Sequence, residues 1–115
     1  MNSIKVGDRL IAVRPSALTP MLFKRMTKTD LLSVLTDKAV KDTDKFESII
    51  GLFYIMQMQA TCQDVKMEFE KAQDEISYYE FLDSLDSKAL YSEDVLTQII
   101  NIYMVSTKTT SKAKN

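Results

Sequence analysis

This sequence predicts a mainly α-helical fold: a compact domain of about five helices preceded by a small N-terminal β-hairpin. Three observations carry that expectation. Only two glycines and two prolines interrupt 115 residues, so little breaks a helix over most of the length. From residue 21 onward, apolar residues recur at spacings of three and four, the period of a helix with one buried face. Near the start the period is instead two, on either side of Gly7-Asp8.

The opening elements follow in order. A two-residue Gly-Asp loop is a type II′ hairpin signal, and pairing residue 6 with residue 9 sets Ile4 opposite Ile11. Ile4, Val6, Ile11 and Val13 then share one face of a ribbon spanning 3–14, which Pro15 ends by restricting Arg14 and removing a donor. If that face were exposed, it would be the first place to seek partner contact, because an open edge invites strand addition. Thr19-Pro20 reads as N-cap and N1 of a helix carrying Met21, Leu22, Phe23 and Met26. Thr29 reads as the cap of a second helix from Asp30 to about Ala39, with Leu31, Leu32, Val34 and Leu35 as its stripe.

Lys41-Asp42-Thr43-Asp44 is a polar break in which Thr43 reads as N-cap. The helix beyond it holds Phe46, Ile49, Ile50, Leu52, Phe53, Tyr54, Ile55 and Met56 on nearly every side and is expected at the centre of the core. Met58, Cys62, Val65, Phe69 and Ala72 keep the same spacing, which leaves two courses open: an unbroken helix to about Lys71 or a break near Thr61. Ser77 and Glu80 read as a capping box ahead of Tyr78, Tyr79, Phe81, Leu82 and Leu85. Ser92 caps the last helix, whose stripe is Val95, Leu96, Ile99, Ile100, Ile102 and Tyr103. Residues 1–106 form the expected domain, and the Lys, Ser and Thr residues of 107–115 a flexible tail.

Composition limits the chemistry. With no histidine and one cysteine, Cys62, neither the usual zinc sites nor an imidazole base can be assembled. Two glycines cannot build a phosphate-cradling loop or a dinucleotide fingerprint. A carboxylate hydrolase is the chemistry that remains, and nothing in the sequence brings two carboxylates together. No catalytic, cofactor or metal residue is assigned. The net charge of −1 lacks the basic signature of a nucleic-acid binder. The longest apolar run, Ile49 to Met58, is far short of the ~20 residues that cross a bilayer, so a soluble, cytoplasmic protein without membrane partners is expected.

What is left is protein binding. Residues 1–28 carry +5, residues 29–107 carry −9 and residues 108–115 carry +3. That segregation fits either head-to-tail self-association and an acidic partner or helices with solvated acidic faces. Met56 and Met58 read either as core filling or as a pliable binding surface. Tyr78, Tyr79 and Phe81 read either as an interface or as an anchor for a neighbouring helix.

Four stretches taken in order resemble the tail assembly chaperones of long-tailed bacteriophages of Gram-positive hosts. They are the aromatic-basic element Leu22 to Leu32, the apolar helix Phe46 to Ala60, the aromatic-acidic segment Tyr78 to Asp86, and Val95 to Val105 with the lysine tail. Two places depart from the family's pattern: Thr27-Lys28 stands where many members have an aromatic-glycine pair, and Phe81 where many have Trp. The resemblance implies a non-catalytic factor that coats the tape-measure protein and recruits tail-tube subunits. Such a factor works in the host cytoplasm and is absent from the mature virion. The alternative is a generic helical interaction module that regulates or inhibits a host protein.

Overall fold

The computed structural model describes residues 2–37 and 42–113, with 42–43 and 107–113 described through the backbone. The hairpin forms as its period requires. Strands β1 (Asn2–Val6) and β2 (Arg9–Val13) pair antiparallel with Val6 opposite Arg9 and Ile4 opposite Ile11. Gly7 has φ of 61° while Asp8 keeps a negative φ, the combination of a type II′ rather than a type I′ turn. Ile4, Val6, Ile11 and Val13 are all buried. The face imagined as a partner surface is core, because helices from later in the chain cover it.

Seven helices follow among the described residues. Helix α1 (Thr19–Thr27) has Pro20 in its first turn, but its N-cap is Leu18. Thr19 does not cap; its hydroxyl accepts from the Ser16 amide and donates inward to Gln59. Helix α2 (Leu31–Thr36) is capped by Asp30, not Thr29, through the Ser33 amide. It stops at extended Asp37, before the expected end at Ala39, which lies outside the described residues. Leu31 and Val34 are buried, whereas Leu32 of the expected stripe faces out.

Helix α3 (Asp42–Thr61) begins one residue ahead of Thr43, which therefore lies in its first turn rather than at its cap. From Ile49 to Gln59 every residue is buried except half-buried Gln57, and the helix touches β2, α1, α2, α4 and α7. Of the two courses the spacing leaves open, onward to Lys71 or a break near Thr61, it takes the second. It ends at Thr61, and Asp64 caps a separate helix α4 (Val65–Ala72) by accepting from the Met67 amide. The apolar spacing persists because α4 folds back along α3, where the Tyr54 hydroxyl donates to the Lys71 carbonyl at 2.9 Å.

Helix α5 (Glu75–Asp83) is capped by Asp74, which accepts from the Ile76 and Ser77 amides. The Ser77–Glu80 box is therefore not used: Ser77 lies inside the helix, and its hydroxyl bonds back to Asp74. Asp86 then caps the short α6 (Ser87–Leu90), an element the apolar pattern did not reveal. Helix α7 (Glu93–Ala113) is capped by Ser92 as expected, through the Val95 amide. It continues as helix through the Thr, Ser and Lys residues assigned to a tail, since no Gly or Pro stands there to stop it.

Two apolar clusters meet across α3. One joins the hairpin face to Phe23, Leu31, Phe53, Met56 and the Val95, Leu96 and Ile99 stripe of α7. The other joins Leu22, Tyr54, Ile55 and Met58 to Ala72, with Phe69 and Tyr78 packed against it. Gly51 lets α1 lie close, since a Cβ there would stand 3.0 Å from the Met26 methyl. The radius of gyration, 13.6 Å, is close to the roughly 13 Å of a compact chain this long.

Candidate protein-binding groove

Four helices leave a gap where α1 ends, α3 begins and α4 turns into α5. The gap is an open groove of about 840 Å³. Arg25, Met26 and Lys28 form one wall, Glu47 and Ser48 the floor beside it, and Asp74, Ile76, Tyr78 and Tyr79 the opposite wall. Local chemistry builds each wall. Helix α1 ends because Lys28 takes the left-handed conformation, φ 63°, and returns its amide to the Lys24 carbonyl. The Asp74 cap starts α5 at the angle that brings Ile76 and the tyrosines to the rim.

The electrostatics are two-sided. Arg25 and Lys28 line the α1 wall; Asp44, Glu47, Asp74 and Glu75 line the others. The Arg25 guanidinium also stacks 5.1 Å over the Phe69 ring, which fixes the cation at the lip. Hydrogen bonds from the Ser77 hydroxyl and amide hold the Asp74 carboxyl below its usual range, so this wall keeps its negative charge into mild acid. Burial pushes the Tyr78 phenol up to about 12, with the negative forms of Tyr91, Glu47 and Tyr79 adding to it. The Tyr78 and Tyr79 rings, with centres 5.6 Å apart, offer paired amphipathic contacts.

The nine candidate residues divide sharply. Ile4, Val6, Ile11, Val13, Met56 and Met58 are buried and present nothing to a partner in this fold. Tyr79 is 56% exposed, and Tyr78 and Phe81 are half-buried. Phe81 is an anchor, packing edge-on against Phe53 with ring centres 5.2 Å apart, while Tyr78 both packs on Tyr54 at 5.1 Å and lines the groove. One aromatic segment thus supplies both a core anchor and part of the groove lining. Arg25, Lys28 and Ile76 were missed as groove residues, although the aromatic-basic element contained two of them.

Sequence reasoning also missed a polar clamp away from the groove, where α1 starts and α3 ends. Gln59 is fully buried in the most apolar helix, and its side chain accepts from Thr19 Oγ1 at 2.6 Å. It donates to Ser16 Oγ and to Glu68 Oε1, each at 2.9 Å. Arg14 donates to the Gln59 carbonyl at 2.8 and 3.1 Å and pairs with Glu68 at 3.3 Å. Helix α3 has no basic residue in its last turn, so Arg14 from the hairpin supplies the cation its C-terminus favours. Among the described residues no buried side-chain nitrogen or oxygen lacks a partner, which makes the clamp structural.

Burial, and next the Glu68 carboxylate, push the Cys62 thiol above its ordinary value, so it is held protonated and weakly nucleophilic. No group of three Cys, Asp or Glu side chains among the described residues is placed to hold a metal ion. No helix among them is long and apolar enough to cross a membrane. Set against known protein families, curated proteins and solved structures, the chain matches none.

Proposed function

We propose that this chain is a non-catalytic tail assembly chaperone of a long-tailed bacteriophage, acting in the host cytoplasm by holding a helical segment of the tape-measure protein in the groove and presenting it to tail-tube subunits. The observation that carries the reading is convergence. Three of the four stretches that resemble the chaperone family meet at this groove: the aromatic-basic element through Arg25, Met26 and Lys28, the central helix through Glu47 and Ser48, and the aromatic-acidic segment through Tyr78 and Tyr79. An amphipathic helix laid in such a groove buries apolar anchors spaced at 3, 4 and 7, with charges of both signs at its flanks.

The test is co-expression with the phage's tape-measure protein, followed by affinity capture. Capture should succeed, and exchanging exposed Ile76 for Asp together with Tyr79 for Ser should reduce it more than tenfold while leaving the melting temperature within a few degrees. Failure of the parent chain to capture the tape-measure protein at any salt concentration would defeat the proposal.

A further inference from the structure

We propose that the groove among α1, α3, α4 and α5 selects a basic helix: its occupant is an amphipathic helix of a partner protein with lysine or arginine on the flank that faces α3 and α5. The inference rests on the groove being a helix-binding surface, as the proposed function does, and adds which charges the partner must bring. The backbone decides that the guest is a helix. The walls are mainly helices whose amides and carbonyls bond within their own turns, and at the end of α1 the Lys28 amide already returns to the Lys24 carbonyl. The groove therefore offers no ladder to an extended segment, whereas a helix satisfies its own backbone. A helix about 10 Å across fills roughly 400 Å³ per turn, so a groove of about 840 Å³ seats about two turns. Ile76, 65% exposed, and Tyr79, 56% exposed, supply the apolar contact.

Charge selects among helices. On the α1 wall both cations are already engaged: the Arg25 guanidinium lies over the Phe69 ring, and the Lys28 ammonium donates to the Arg25 carbonyl at 3.1 Å. Across the groove, Asp74 is held as the cap of α5 and has Lys71 within electrostatic reach. Asp44, Glu47 and Glu75 differ. All three are exposed, and the salt bridge found among the described residues is Arg14 with Glu68, so no described cation pairs with them. They line the groove from two helices, Asp44 and Glu47 one turn apart on α3 and Glu75 at the start of α5. Glu47 also stands near the aromatic pair: after burial and Tyr91, its charge helps raise the Tyr78 phenol. A lysine or arginine entering here meets carboxylates and the exposed Tyr79 ring together, and both attract a cation. A glutamate in the same place meets three like charges.

The test uses the full chain and the synthetic peptide acetyl-Leu-Lys-Gln-Leu-Leu-Lys-Ala-Leu-Lys-Gln-Ala-Leu-Lys-Ala-Leu-amide, whose lysines share one flank of its leucine stripe, with a control in which Glu replaces each Lys. Titration followed by ¹⁵N–¹H NMR should shift the Glu47, Ile76 and Tyr79 amides. The glutamate peptide should bind at least tenfold more weakly, and the gap should narrow as salt rises from about 50 mM to about 500 mM. Glu47→Lys with Glu75→Lys, both at exposed positions, should reverse the preference while the melting temperature moves by a few degrees at most. Should that variant unfold, Glu47→Gln with Glu75→Gln replaces it and should weaken lysine-peptide binding at least threefold. Equal or tighter binding of the glutamate peptide, shifts centred away from these residues, an unreversed preference, or a dimer of the chain alone that the variant dissolves would each overturn the proposal. Tape-measure capture that the charge-reversed variant leaves unchanged would sink this inference alone. Failed capture with lysine-peptide binding intact would sink the phage reading alone.

Discussion

Replacing Gln59 with Leu tests whether the polar clamp holds the hairpin, α1 and α4 against the end of α3. The side chain is 0% exposed and makes three hydrogen bonds, to Thr19, Ser16 and Glu68. Leu fills a similar volume, so the cavity cost is small and the lost bonds dominate. Two bonds between neutral groups contribute about 1 kcal/mol each, and the bond to the Glu68 carboxylate about 1.5–3 kcal/mol. Thr19, also 0% exposed, loses the acceptor for its hydroxyl. Better transfer of Leu into the core offsets part of this, so we expect a net loss of about 3 kcal/mol.

Urea unfolding followed by circular dichroism at 222 nm measures it, with the slope unchanged and the midpoint lowered. The mechanism makes a second, sharper demand. Removing Glu68 as well, in Gln59→Leu with Glu68→Leu, eliminates the stranded carboxylate, so the double variant should lose at least 1 kcal/mol less than the sum of the two singles. A single-variant loss below about 1 kcal/mol, or strict additivity, would refute the view that these groups act as one network.

Ile11→Lys places an ammonium in a site that is 7% exposed and should cost about 3 kcal/mol or more, seen as a large fall in melting temperature. Lys28→Gly relieves a left-handed residue with a side chain, φ 63°, and should stabilise the fold by about 1 kcal/mol in the same urea assay. Burial raises both Tyr54 and Tyr78 to about 12. Below the unfolded value of about 10 their contribution to stability is complete, and it is lost as the pH rises from there through about 12, because the unfolded chain releases those protons first. Absorbance at 295 nm should show two of the five tyrosines ionising late, and Tyr78→Phe should extend stability to higher pH.

The hairpin was legible to the register because its determinants are local: a period of two and a Gly-Asp turn. Whether its apolar face met core or solvent was not legible, since that depends on α3 and α7, which begin only at Asp42 and Glu93. The α3–α4 break was hidden by the very spacing that predicts helices. Val65, Phe69 and Ala72 continue the period of α3 because α4 packs back on it, and the break rests on Asp64 reaching one amide. Around residue 75 two capping signals competed, and Asp74, bonding two amides, outweighed the Ser77 box. Gln59 could not be read at all, because a lone amide in an apolar helix carries no pattern until its four partners arrive from elsewhere in the chain.

Lys28 carries both backbone strain and charge. The backbone there is in the region that glycine enters freely and lysine enters at a cost. The side chain supplies its own partial compensation: its ammonium donates to the Arg25 carbonyl at 3.1 Å, satisfying an acceptor at the end of α1. It also stands on the groove wall opposite Asp74 and Glu75. A glycine there would leave Arg25 as the cation on that wall, already stacked on Phe69. Strain at the lip of a binding surface, coupled to a charge that glycine cannot provide, makes Lys28→Gly diagnostic: a gain in stability accompanied by weaker capture of a helix with acidic flanks would tie the backbone strain to binding, whereas unchanged capture would make the strain purely architectural.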